Sequence, residues 1–164
     1  MRYFPVEWLE FSPNTDWQSM VASQTPSANP ATALLTQSKR LPLVWDELQV
    51  DMPTWKKLLP ETRCASKIED GFILKPAFGR VGEGINIVGT LSETENEDIK
   101  NAATANPEQW VAQKMFESLP INGLHLNLGV FVVDGQFARL YGRTSKVARI
   151  DASASEIPVL VRTC

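Results

Sequence analysis

The sequence predicts an α+β protein, and three observations carry the prediction. Helical patterning is confined to the region before residue 60 and to one acidic stretch near the middle. Short apolar or β-branched runs dominate the second half. The strongest turn signal, Asp134-Gly135, joins two long strand-like runs as a hairpin. The regular alternation of strand and helix that a doubly wound sheet needs is missing.

The elements follow in order. Residues 1–29 are irregular, with Pro5, Pro13 and Pro26 among Ser, Thr and Asn, while Trp8, Phe11 and Trp17 need cover and predict a segment packed onto a body. Asn29-Pro30 reads as a helix N-cap followed by proline at the first helical position. From there Leu34, Leu41, Trp45 and Leu48 recur at helical spacing, interrupted by Pro42, which lacks an N–H and clashes with the carbonyl of Ser38, so a kink or break is expected. Asp51 and Pro53 start a short helix over 54–59, closed by Pro60. Strands are predicted over 72–77 and 85–88, flanking a loop with Gly79, Gly82 and Gly84; a surface helix follows over 94–105. A strand over 110–116, a turn over 120–123, the hairpin strands 124–133 and 136–141, and a last strand within 158–162 complete the chain. On the hairpin, Leu126, Leu128, Val130 and Val132 are expected to be core.

Composition bounds the function. A chain of 164 residues and 18.3 kDa, 43% hydrophobic and 21% charged, is one globular domain or a piece of one. A net charge of −3 supplies no global field for nucleic acid. Positive charge is local: Arg139, Arg143, Lys146 and Arg149 lie together with no acid among them. The two cysteines, Cys64 and Cys164, have neither metal-site nor disulfide-framework spacing, and His125 stands alone, which points to a structural residue. No apolar run reaches membrane-span length and the N-terminus lacks a signal-peptide core, so a cytoplasmic protein without membrane or nucleic-acid partners is expected.

The loop 79–84 carries the chemistry. Glycines let backbone N–H groups approach an anion, and Lys75 and Arg80 add charged donors. The residues after it have strand rather than helix character, which excludes a Walker A loop and a dinucleotide fingerprint and leaves either a glycine hairpin flap over phosphates or a plain structural hairpin.

Four segments, LTQSKRLPLVWDEL (35–48), ILKPAFGRVGEGI (73–85), WVAQKMFESLPI (110–121) and NLGVFVVDGQFARLYGRTS (127–145), occur in the order and approximate spacing of the glutathionylspermidine synthase family, and over about residues 30–160 the chain resembles the C-terminal part of such a protein. The resemblance implies an ATP-grasp fold, here partial: two α+β subdomains with a glycine-rich hairpin flap. It implies a ligase that joins a peptide carboxylate to a polyamine-like amine through an acyl phosphate, with ATP and Mg²⁺. By position, Lys39 and Lys75 match two phosphate-binding lysines. Gly79 and Gly82 belong to the flap, and Arg80 matches its mobile arginine. Gln113, with the backbone of Lys114 and Met115, matches the adenine-bonding stretch, and Arg143 matches an arginine on the transferred phosphoryl group. Residues 1–60 are then an N-terminal packed segment with helices, 61–116 a lid-like subdomain bearing the flap, and 117–164 the hairpin part of the second subdomain. Against this stand plainer roles: Lys39 as a surface lysine, and Gln113 as the polar partner on an alternating strand.

The chain departs from the family in three places. It has Gly79-Arg80-Val81-Gly82 where the family has Ser-Arg-Glu-Gly, and its end lacks a Pro-His dipeptide. The family's Mg²⁺ ligands precede the segment that this chain matches, so no metal ligand is assigned here, and Asp134 is a turn residue. The resemblance thus implies either the ATP-binding portion of a ligase, incomplete and inactive without a missing N-terminal half, or a non-catalytic nucleotide-sensing or protein-interaction domain that keeps the fold.

Overall fold

Pro42 and Pro53 set the helical segments of the first third. In the computed structural model, which describes residues 33–161 apart from 67, 68, 83 and 88, together with 22, 24 and 26, helix α1 (Ala33–Gln37) ends before the proline. A 3₁₀ helix (Leu41–Glu47) then begins with Pro42 in its first turn, where a missing N–H leaves no bond unmade. The break expected from Pro42 therefore falls at 38–40. Of the predicted apolar face Trp45 is buried, whereas Leu48 is exposed. Helix α2 (Pro53–Leu58) follows, also led by its proline. The expectations for Trp8, Phe11, Trp17, Asn29-Pro30 and Cys164 lie outside the described residues.

Three short strands build the first sheet: β1 (Thr62–Cys64), β2 (Phe72–Pro76) and β3 (Trp110–Lys114), antiparallel in the order β1-β3-β2. Because strand side chains alternate, the register sorts them into two faces. Leu74 and Ala112 point to one side and meet helix α3 (Glu93–Ala105) through Ala103 and Ile99, with Phe72 and Trp110 at the margin. Thr62, Ile73, Lys75, Val111 and Gln113 share the other side. Strand β1 is absent from the sequence reading because Thr-Arg-Cys is too short to show a period. Helix α3 starts at Glu93 because Ser92 caps it: its hydroxyl accepts from the Glu95 N–H while the Glu95 carboxylate accepts from the Ser92 N–H.

The expected strand over 85–88, and with it the glycine hairpin, is not formed among the described residues. Ile87 N–H turns back to the carbonyl of Ile85 at 3.1 Å, and Thr90 N–H to that of Ile87 at 3.1 Å. The segment instead covers the β2 edge with a side chain, since the Leu74 N–H donates to Asn86 Oδ1. The loop thus joins a strand to an irregular segment.

The second sheet is β4 (His125–Val133), β5 (Gln136–Ser145) and β6 (Ser155–Ile157), in that order and antiparallel. Asp134 and Gly135 both take positive φ, 49° and 75°, as a two-residue hairpin turn requires. Two expectations fail here. Among the described residues the last strand lies at Ser155–Ile157 and not within 158–161, because Pro158 has no N–H for the ladder. Leu128, Val130 and Val132 are not core: they are 50%, 59% and 60% exposed, on a strand whose extensive packing among the described elements is with its sheet neighbour β5. Phe131 and Tyr141 stack obliquely at 5.7 Å, and a Cβ on Gly129 would sit inside the Tyr141 ring, so that glycine makes the close approach possible. No described helix is long and apolar enough to cross a membrane.

Candidate functional site

Lys39 is placed by backbone rather than by a helix. It lies in the turn between α1 and the 3₁₀ helix, where its N–H donates to the Ala77 carbonyl at 2.9 Å, just past β2. That docking brings its ammonium onto the carbonyl of Gly79, to which it donates. Lys75 arrives from β2 on the sheet face opposite α3 and donates from Nζ to Gln113 Oε1 at 2.5 Å. Gln113 Nε2 donates to Thr62 Oγ1 at 3.2 Å. The two lysines are close enough to feel each other. Burial, and after it the charge of Lys75, push Lys39 down to about 8, and burial pushes Lys75 below its ordinary value. Two ammonium groups held partly out of water, each on a neutral carbonyl acceptor among the described residues, form a site that an anion would relieve.

Lys75 also lines a cleft of about 360 Å³ with Ile73, Ile85, Ile87, Met115, Phe116, Glu117, Ser118, Leu119, Pro120 and Ala148. Its walls are apolar with a few convergent polar groups, the composition of a small-molecule pocket. Met115 lines it directly, while Lys114 is exposed. The N–H groups of both are engaged within the protein, Lys114 to the Glu61 carbonyl at 2.8 Å and Met115 to that of Gly71 at 2.7 Å. Phe116 ends the strand expected over 110–116, which in the structure stops at Lys114, Ser118 and Leu119 carry no strand or helix pattern, and Ile85 and Ile87 read as a strand, so no periodicity marks these residues as a cleft wall.

The glycine loop rests on the stretch that follows β5. Gly82 has φ +71°, and a Cβ there would stand 2.7 Å from the Ile150 carbonyl oxygen. Next to that contact Arg149 holds the Asp151 carboxylate at 3.0 Å, and Arg143 donates to the Asp151 carbonyl at 2.5 Å. Bonds from the Ser153 hydroxyl and N–H, and then from Arg149, hold the Asp151 carboxyl below the usual carboxylate range. Lys39, Lys75, Gly79 and Gln113 are thus one linked group. Arg143 belongs to a second group, anchored on Asp151 and touching the loop near Gly82, and Arg80 is exposed on the loop between them. Among the described residues no three His, Cys, Asp or Glu side chains come together as a metal site.

No curated protein matches the chain closely enough to count as a relative. A family profile, described as glutathionylspermidine synthase preATP-grasp, matches residues 1–162, and the chain belongs to that family.

Proposed function

We propose that the chain is the ATP-binding portion, C-terminal in its family's order, of an ATP-grasp carboxylate–amine ligase, and that alone it binds nucleotide without forming an amide bond. The observation that supports this most is the pair of half-buried lysines, Lys39 and Lys75, tied to Gly79 and Gln113 beside an apolar cleft of about 360 Å³. In this reading the cleft takes the adenine, with Met115 against it and polar groups of 116–118 bonding its edge. The lysines take the phosphates, with Gly79 and Gly82 in the loop above them. Residues 61–116 and 117–164 are the two subdomains, a division supported by the confinement of the first sheet to 62–114 and of the second to 125–157.

ATP would supply the phosphoryl group that converts a peptide carboxylate into an acyl phosphate, which a polyamine-like amine then opens with loss of phosphate. This chain's cations would hold and neutralise the phosphates, Arg80 from the loop and Arg143 at the transferred group. In this reading the ligands for Mg²⁺ come from outside this chain, in a cytoplasmic assembly.

The second reading, a nucleotide-sensing or protein-interaction domain, is favoured by the exposed apolar side chains of β4, Leu128, Val130 and Val132. An ATP titration with and without Mg²⁺ separates the two. Saturable binding that is lost in Lys75→Ala supports the first, and absence of binding refutes it. ADP release with glutathione and spermidine is expected at background; Lys75-dependent turnover would overturn the claim that the chain is inactive alone.

A further inference from the structure

Lysine can only donate, and a primary amide has one acceptor end and one donor end, so a lysine bound to a glutamine fixes which way the amide lies. Here the Lys75 ammonium donates to Gln113 Oε1 at 2.5 Å, which turns Gln113 Nε2 away from it. That nitrogen needs an acceptor, and it finds Thr62 Oγ1 at 3.2 Å. The Thr62 hydroxyl can accept there because its own proton is committed elsewhere, to the carbonyl of Pro60 at 3.2 Å. The bonds run in one direction, from the lysine through the amide and the hydroxyl to the Pro60 carbonyl. Strand register places them together: Thr62 on β1 lies directly opposite Gln113 on β3, and Gln113 lies opposite Ile73, two residues before Lys75 on β2.

We infer that Thr62 is a positioning residue for Lys75, acting through the Gln113 amide. A hydroxyl in the edge strand locks the amide with its oxygen toward the lysine, and the locked oxygen holds the ammonium at the cleft wall. A neutral acceptor does this without cancelling the charge, so the full positive charge remains for an anion in the cleft. A carboxylate at position 113 would hold the lysine as firmly and neutralise it.

The inference rests on the nucleotide reading only for the meaning it gives to that charge, and its test does not need the nucleotide. Lys75 is titrated by NMR of its Cε signal in the full chain without ligand, for the native protein, Thr62→Val, Thr62→Ser and Gln113→Glu. Loss of the acceptor in Thr62→Val frees the amide to rotate, and the titration midpoint of Lys75 is expected to fall by about half a unit. Thr62→Ser keeps the hydroxyl and is expected to restore it, while Gln113→Glu is expected to raise the midpoint above the native one. ATP affinity is expected to weaken about three- to tenfold in Thr62→Val and to recover in Thr62→Ser. Should Thr62→Val fail to fold, Thr62→Ala, which also lacks the hydroxyl, takes its place with the same expected fall. An unmoved Lys75 midpoint in Thr62→Val overturns the positioning role even if ATP binds and whatever Gln113→Glu does. A titration that moves as described, in a chain that binds no ATP, leaves the positioning role standing and removes the nucleotide reading.

Discussion

Raising the pH from 7 to 9 is expected to weaken nucleotide binding by up to about tenfold, with proton uptake as its signature. Lys39, pushed down to about 8 by burial and by Lys75, is about nine-tenths protonated at pH 7 and about one-tenth at pH 9. A bound phosphate favours the ammonium and lifts its pKa. Below 8 the charge is already in place and affinity is at its maximum; above 8 each binding event must first load a proton. At pH 8 about half a proton per nucleotide is taken up at Lys39. Folding has the opposite sign. The folded-state value lies below the ordinary 10.5, so stability from this group rises with pH between about 8 and 10.5. The assay is titration calorimetry at pH 8 in two buffers of different ionisation enthalpy, on the native chain and on Lys39→Arg, whose guanidinium stays charged throughout. Lys75, also pushed down by burial, contributes uptake of the same sign in both proteins, so the difference between them belongs to Lys39. Equal proton uptake in the two proteins would refute the reasoning.

Lys75→Ala should cost about ten- to a hundredfold in ATP affinity, the worth of a charge-assisted contact, whereas Lys146→Ala, an exposed cation that does not line the cleft, should cost little; equal losses by calorimetry would leave only a diffuse basic face. Leu74→Ala removes the side chain buried between the first sheet and α3 and should destabilise the fold by about 2–5 kcal/mol in urea denaturation. Gly82→Ala places a Cβ against the Ile150 carbonyl at a positive φ, so amide exchange over 78–84 should speed up even without nucleotide; unchanged protection would mean that the loop does not rest there. The bare face of β4 and β5, with Leu128, Val130 and Val132 at least half exposed, should bind a hydrophobic dye in the native state, and a Val130→Lys variant should bind less of it.

Much of the architecture was legible because it depends on local chemistry. Pro42 forced a break, Pro53 forced a helical start, and Asp134-Gly135 forced the hairpin through two positive φ angles. The acidic run 94–105 lacked strand character and became α3, and its true start was also readable, since Ser92 and Glu95 have capping-box spacing. The strand assignment for 85–88 failed because β-branched residues report only a preference for extended, half-buried backbone. Nothing local says that Asn86 will give its side-chain oxygen to the edge of β2, and that bond leaves Ile85 and Ile87 lining a cleft instead of a ladder. The apolar alternation of Leu126, Leu128, Val130 and Val132 was read correctly as a period, but a period names a face and not what covers it.

The candidate site divides the same way. The sequence by itself determined which residues carry charge and where the backbone can bend: Lys39, Lys75, Arg80 and Arg143, with Gly79 and Gly82 between hydrophobic runs. These are properties of residue types and of short-range sterics. Only the tertiary structure decided which of them meet. Lys39 reaches Gly79 through a backbone bond to Ala77, Gln113 faces Lys75 because Thr62 accepts its other end, and Arg143 turns to the Asp151 carbonyl. Each contact joins segments distant along the chain or fixes one rotamer among several. Strand register and burial make those choices, and they exist only once the sheets have formed.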